Sequence, residues 1–514
     1  MQIPLTVSDF LDRAEFVYGD RAAVVDEPDQ PAPSWGAVTY KDVARRARAQ
    51  AAALDRLGVG AGARVAVVSH NSARLLTSFF GVSGYGRVLV PVNFRLRADE
   101  VAYIVEHSGA EVLLVDPELE DSLKDVKAHH RFVIGAESDA EFFDGDHDPV
   151  RHAIGENDTA TINYTSGTTA RPKGVQLTHR NIWLNAVLMG LHLGVGDRDV
   201  YLHTLPMFHA NGWGMPYIVT GLGAKQIVLR KVDGAEILRR VDEHGVTLLN
   251  GAPTVIAMVL AAAKEWDGEI PGRDRVRVVV AGAPPPSTVI QQVEDVLGWQ
   301  FNQIYGLTET APLVTVNRTR QEWDGLTSLE RARNLMRAGV PSLGTRMVTD
   351  ADAEVLVRSN VVLEGYWQQP EESERALAGD WFHTGDGGAI GGDGYLTISD
   401  RKKDVIITGG ENVSSIEVED ALYKHPAIAE CAVIGVPDEK WGETIKALVV
   451  LKEDHSSRAT TEAEVIKHCK GLIAGFKAPT TVEFRETLPR TATGKLQKFK
   501  LREPYWEGRE RNVN

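Results

Sequence analysis

The stretch YTSGTTARPKGVQLTHRN, residues 164 to 181, concentrates groups that could hold an anion. Thr165, Ser166, Thr168 and Thr169 offer hydroxyl donors, Gly167 and Gly174 let the backbone turn and approach closely, and Lys173 adds a compact positive charge. Such a loop suits a polyphosphate. It is not a Walker loop, because Pro172 stands where G-x-x-x-x-G-K-[ST] requires its second glycine. Taken alone, the stretch reads equally well as a solvated turn ahead of a helix starting near Thr178.

Its company decides between these readings. Downstream come AGAPPP (281 to 286), YGLTET (305 to 310), WFHTGD (381 to 386), DRKKDVIITGGENVSSIEVE (400 to 419) and PRTATGKLQK (489 to 498). With the loop these make six stretches in a fixed order, and together they resemble the acyl- and aryl-CoA synthetases of the adenylate-forming superfamily, which also contains luciferases and the adenylation domains of peptide synthetases. The resemblance spans nearly the whole chain.

It implies a two-step reaction using ATP, magnesium and coenzyme A. A carboxylate attacks the α-phosphate of ATP, and the charge on the phosphoryl oxygens and departing pyrophosphate calls for a metal and fixed donors. The resemblance makes Glu309 the magnesium residue with Thr165 near the same ion, Thr308 an α-phosphate contact, and Lys495 the lysine that reaches the α-phosphate and the acid during adenylation. Tyr305 would lie against the adenine, with the backbone of Gly282, Ala283 and Pro284 on its other side. Asp386 would accept the ribose hydroxyls, and Arg401 would add a ribose or phosphate contact. Gly409, Gly410 and Glu411 of GGEN would line the path of the CoA thiol, and Asp400 would be the hinge that lets one small domain serve both steps.

The elements that must position these groups alternate. RVAVVS (64 to 69), RVLVPV (87 to 92), EVLLV (111 to 115), KQIVL (225 to 229), VTLLN (246 to 250) and RVRVVVAGA (275 to 283) read as buried strands between helical segments. The helix ahead of the first run places Val43, Ala47, Leu54 and Leu57 on one stripe and stops at Gly58. GVGAG (58 to 62) lies between helix and strand, the wrong order for a dinucleotide fingerprint, so it reads as a stop and turn. After about residue 340 the strands shorten and turns multiply, as in hairpins. The fold expectation is therefore α/β: a large N-terminal domain over 1–399, of sheets with packed helices plus a small barrel-like β part, and a small mobile α+β domain over 400–514.

Composition bounds the rest. The 514 residues are 43% hydrophobic and 25% charged, an ordinary globular balance too long for one core. A formal charge of −15 opposes binding to nucleic acid or anionic membrane surfaces. Cys431 and Cys469 stand far apart with no His or Cys at ligand spacing nearby, so neither a disulfide framework nor a zinc site is expected. No signal peptide or membrane span is read from the chain, and the expected compartment is the cytoplasm. A homodimer is compatible with this class.

The acid itself is addressed by LPMFHANGWG (205 to 214). The resemblance makes His209 an aromatic gate beside the carboxylate and Trp213 a pocket wall; otherwise His209 is an ordinary core histidine. Residues 200 to 224 contain no Asp or Glu, so an amino acid's ammonium would lack a partner there, and a hydrophobic carboxylic acid is favoured. Two rivals remain: a fatty acyl-AMP ligase that passes the adenylate to a carrier protein, and a nucleotide-binding protein that no longer catalyses.

Overall fold

The structure is a computed structural model that describes residues 1–165, 171–282, 285–401, 404–408, 411–438, 441–452, 460–491 and 496–507, without the side chains of Asp400, Arg401 and Asn412. Two large sheets with parallel centres dominate the N-terminal part. In the first, strands Gln300–Gly306, Arg277–Val280, Leu248–Gly251, Val200–His203, Lys225–Val228 and Ala22–Val25 run parallel in that spatial order, flanked by antiparallel strands. In the second, Thr159–Thr165, Val88–Val92, Arg64–Val68, Ala110–Val115 and His130–Val133 run parallel, with Lys173–Thr178 antiparallel beside Thr159–Thr165. Helices cover both faces, so the strands are continuous apolar runs rather than alternating ones.

The helix Tyr40–Arg56 shows how local signals cooperate. Thr39 caps it, its hydroxyl accepting from the backbone of Asp42 while Asp42 accepts from the backbone of Thr39. Val43, Ala47 and Leu54 are buried, and the chain leaves the helix through Gly58 at φ 75°. The segment 58 to 62 is the expected stop and turn, leading into the strand Arg64–Val68.

Beyond residue 340 an antiparallel sheet of four strands forms from Arg346–Thr349, Glu354–Arg358, Phe382–Ile390 and Leu396–Arg401. Its last strand carries Asp400 opposite Gly387 and Arg401 opposite Asp386. The expected hinge therefore sits in the closing residues of a paired strand. The small C-terminal part has its own sheet, built on the long hairpin Ile428–Asp438 and Gly442–Leu451, and its own core around Val418, Leu422, Val433 and Val449. Cys431 and Cys469 are buried in that core as free thiols, and burial pushes both above the ordinary range. Among the described residues no helix is long and apolar enough to cross a membrane.

Candidate active site

The expected anion loop joins two strands of one hairpin, Thr159–Thr165 and Lys173–Thr178, with Thr165 paired to Lys173. Ser166, Gly167, Thr168 and Thr169 lie outside the described residues. The Lys173 ammonium forms an ion pair with Glu372 and sits 5.0 Å from the centre of the Tyr366 ring. Gly174 lies in tightly packed surroundings. A Cβ there would lie 2.9 Å from Ile162 Cγ2 and 3.1 Å from Tyr164 Cζ, too close for any side chain.

At the C-terminal ends of the first sheet, Gln300–Gly306 leads directly into Thr308–Thr310. Tyr305 donates from its phenol to Oδ2 of Asp386 at 2.8 Å, and Asp386 is 6% exposed. The backbone of Asp386 donates to the Thr384 hydroxyl at 3.1 Å. A buried carboxylate therefore lies beside a half-buried ring. Gly282, at φ 100°, occupies a region that only glycine enters without strain.

Glu309 is half-buried, and its Oε1 accepts a 3.0 Å hydrogen bond from the phenol of Tyr366. Burial first, and then the Glu309 charge, push that phenol above its ordinary range, so it stays protonated as a donor. The backbone is tied as well, since Leu363 donates to the Glu309 carbonyl at 2.7 Å. Among the described residues no group of three His, Cys, Asp or Glu could hold a metal by itself. One oriented carboxylate fits magnesium, which binds through one or two carboxylates together with substrate phosphates.

His209, Trp213, Gly282 and Thr308 line one cavity, with Leu205, Ala252, Ala281, Ile304, Leu307 and Pro312 among the other walls. The strands explain why. Leu205, Ala252 and Ala281 each follow the C-terminal end of a neighbouring parallel strand, where open α/β sheets place their ligands. The turn between them is unusual. Ala210, Asn211, Gly212, Trp213 and Gly214 all have φ between 45° and 80°, a run of left-handed residues of which three carry side chains. Each of those three costs about 1–2 kcal/mol against a right-handed conformation, so the surroundings must hold the turn.

Of the remaining expected residues, Ala283, Pro284, Gly409, Gly410 and Lys495 lie outside the described residues. Glu411 is exposed at the start of the strand Glu411–Val413. The backbone of Arg401 stands opposite that of Asp386 in the strand register. The segment that carries Lys495 is closed at its base, where Arg490 bridges Leu496 and the Gln497 backbone donates to the Pro489 carbonyl at 2.9 Å. Lys498 then pairs with Glu419 at 2.8 Å. Sequence reasoning missed Tyr366, Glu419 and the hydrophobic walls other than Trp213. A tyrosine in GYW carries no sign of a carboxylate partner 57 positions away.

Comparison with known proteins agrees with this arrangement. Residues 11–367 match the AMP-binding enzyme family, and residues 417–495 match the AMP-binding enzyme C-terminal domain. The chain is 38% identical to a 2-methylpropanoate–CoA ligase of Humulus lupulus, over 97% of this chain and 95% of that protein. It is 36% identical to a peroxisomal acetate/butyrate–CoA ligase of Arabidopsis thaliana, over 96% of this chain and 93% of the relative. Among solved structures it is similar to an anthranilate CoA ligase in complex with anthranoyl-AMP, with a TM-score of 0.86, 27% identity and 98% of each chain covered. Family match, full-length relatives and shared fold together identify the chain as a member of the AMP-binding enzyme family, an adenylate-forming acyl-CoA ligase that uses ATP, Mg²⁺ and coenzyme A.

Proposed function

We propose that the acid activated by this ligase is short, apolar and without an amino group. The observation that carries the reading is the cavity wall: Leu205, Ala210, Trp213, Ala252, Ala281, Ile304, Leu307 and Pro312 surround it, and among the described residues that line it only His209 carries an acidic or basic side chain. The names of two relatives, a 2-methylpropanoate ligase and an acetate/butyrate ligase, point the same way.

In this reading His209 gates the acid carboxylate and Trp213 closes the acyl pocket. The carboxylate oxygen attacks the α-phosphorus, the new P–O bond replaces the bond to pyrophosphate, and the CoA sulfur later displaces AMP from the acyl carbon. Magnesium, when bound, neutralises charge on the phosphoryl oxygens, and Glu309 and Thr165 would hold it. Thr308, Ser166, Gly167, Thr168, Thr169 and Lys173 would donate to the phosphates. Lys173 would have to leave Glu372 to do so. Tyr305, Gly282, Ala283 and Pro284 would enclose the adenine, with Asp386 and Arg401 on the ribose.

Lys495 would serve the first step and Gly409, Gly410 and Glu411 the second, by movement of the part beyond residue 400 about Asp400. We place the reaction in the cytoplasm; cell fractionation tests this, since two relatives are named as peroxisomal. The substrate reading is tested with a panel of carboxylic acids, scoring acid-dependent pyrophosphate release and thioester formation with CoA. Short unsubstituted or branched acids should be preferred. A preference for an α-amino acid or a long chain overturns it.

A further inference from the structure

The left-handed turn of residues 210 to 214 is held from beneath by a closed ring of hydrogen bonds. The Thr161 hydroxyl donates to Asn163 Oδ1, Asn163 Nδ2 donates to Asn211 Oδ1, and Asn211 Nδ2 donates back to the Thr161 oxygen, each at 2.9 Å. Every member gives one bond and takes one, and all three are buried, at 0%, 2% and 2% exposure. Asn163 Nδ2 reaches the Phe208 carbonyl as well, at 3.3 Å. A second amide supports the far end, with Asn185 donating to the Trp213 carbonyl at 3.3 Å and accepting from the Leu313 backbone at 3.1 Å.

Thr161 and Asn163 belong to the strand Thr159–Thr165 of one sheet, whereas the turn follows the strand Val200–His203 of the other. The ring therefore spans the junction between the two large sheets. It clamps the six-residue segment whose first residue is His209 and whose fifth is Trp213, which line the cavity together with Ala210. Glycine shape reinforces the clamp. A Cβ on Gly214 would fall 2.4 Å from Asn185 Nδ2, and one on Gly212 would fall 3.1 Å from Pro216 Cδ.

We propose that Thr161, Asn163 and Asn211 are positioning residues for the carboxylic acid. By fixing a backbone conformation the turn would not otherwise keep, the ring sets His209 and Trp213 against the acyl pocket, and its integrity determines how well the enzyme binds and discriminates its acid. This rests on reading the cavity as the acid site. None of the three touches the acid. Their effect passes through the turn, since a fully satisfied buried network has little freedom to drift and a broken one leaves unpaired polar atoms that must find new partners.

The experiment compares Thr161→Val, Thr161→Ser, Asn211→Gly and Trp213→Ala in acid-dependent pyrophosphate exchange, with KM measured separately for ATP and for acetate, butyrate and 2-methylpropanoate, and with thermal melting alongside. Asn211→Gly keeps a residue that accepts positive φ but deletes the amide, so it isolates the ring from the backbone preference. Thr161→Val and Asn211→Gly should raise the KM for acid about tenfold and narrow the differences among the three acids, while the KM for ATP moves less than about twofold. Thr161→Ser, which keeps donor and acceptor, should stay within about twofold of the unmodified enzyme. If the ring variants melt earlier but keep the acid KM, or raise both KM values equally, the positioning role is wrong. Trp213→Ala separates the two levels. If it leaves acid preference unchanged, the cavity reading fails; if it shifts preference while the ring variants are silent, only the ring proposal fails.

Discussion

The phenol of Tyr305 donates to Oδ2 of Asp386 across 2.8 Å, linking the end of the parallel strand Gln300–Gly306 to the antiparallel strand Phe382–Ile390. The two residues are 81 positions apart and belong to different sheets. The bond fixes the ring that is expected to face adenine. Tyr305→Phe keeps the ring and loses the donor. We expect the KM for ATP to rise by about three- to tenfold, as for one hydrogen bond to a charged group, with little change in kcat. Asp386→Ala should cost about 10²-fold in kcat/KM for ATP. Initial-rate titration with ATP at saturating acid checks both.

Glu309 and Tyr366 make a second testable pair. Glu309→Ala should lower magnesium-dependent adenylation by about 10²-fold or more, because the metal it is expected to hold supplies several kcal/mol to the transition state. Tyr366→Phe leaves the carboxylate in place without its 3.0 Å donor. Its effect should be smaller, about tenfold, and should show as a higher magnesium requirement that added magnesium overcomes. Pyrophosphate exchange measured against magnesium concentration distinguishes the two, and near-normal rates for Glu309→Ala at ordinary magnesium would remove Glu309 from the site.

Two buried histidines predict how stability responds to acid. His203 Nε2 donates to Gln226 Oε1 at 2.9 Å, and His179 Nδ1 accepts from the Val7 backbone at 3.3 Å. Burial pulls both down to about 4. The unfolded chain takes up these protons near pH 6.5, and the folded chain does so only near 4, so the unfolded state binds more protons between those values. Stability therefore falls as the pH drops through that window, by up to about 1.4 kcal/mol per pH unit for each histidine. Urea unfolding at pH 7.5, 6.5 and 5.5 measures the slope. His179→Gln should flatten it in part, and an unchanged slope would show that His179 does not contribute.

The two half-reactions should separate by mutation at the C-terminal part. Lys495→Ala should stop acid-dependent pyrophosphate exchange while leaving thioester formation from supplied acyl-adenylate largely intact. Three residues on, Lys498 is anchored to Glu419 at 2.8 Å, with both side chains mostly buried. Glu419→Gln weakens that anchor and should lower the first half-reaction in the same direction, by about tenfold. Equal loss of both half-reactions in a folded Lys495→Ala protein would contradict the alternation reading.

What the sequence by itself determined were the features that depend on local order. Strand and helix alternation follows from hydrophobic periodicity, and the run from 64 to 69 became the strand Arg64–Val68 because five consecutive apolar or half-apolar positions have no amphipathic alternative. The six motifs place Tyr305, Glu309 and Asp386 by residue type and order, and the hydroxyl-rich loop between Thr165 and Lys173 is legible as a turn from its residues, whereas the two strands that flank it were not. His209 and Trp213 were readable as cavity residues from LPMFHANGWG.

Tertiary structure alone decided who orients them. Tyr366 meets Glu309, Glu372 meets Lys173, and Asn211 meets Thr161 and Asn163, across separations of 57, 199, 50 and 48 residues. Nothing in a short window encodes such partners, because each is fixed by how two sheets and their connecting loops pack. The left-handed run at 210 to 214 belongs to the same class. Ala210 and Trp213 have no local preference for positive φ, and they take it because buried amides satisfy the turn in that conformation. Gly174 makes the same point in reverse. Its sequence context suggests room for an anion, but Ile162, Tyr164 and Trp367 converging from other elements are what exclude a side chain there.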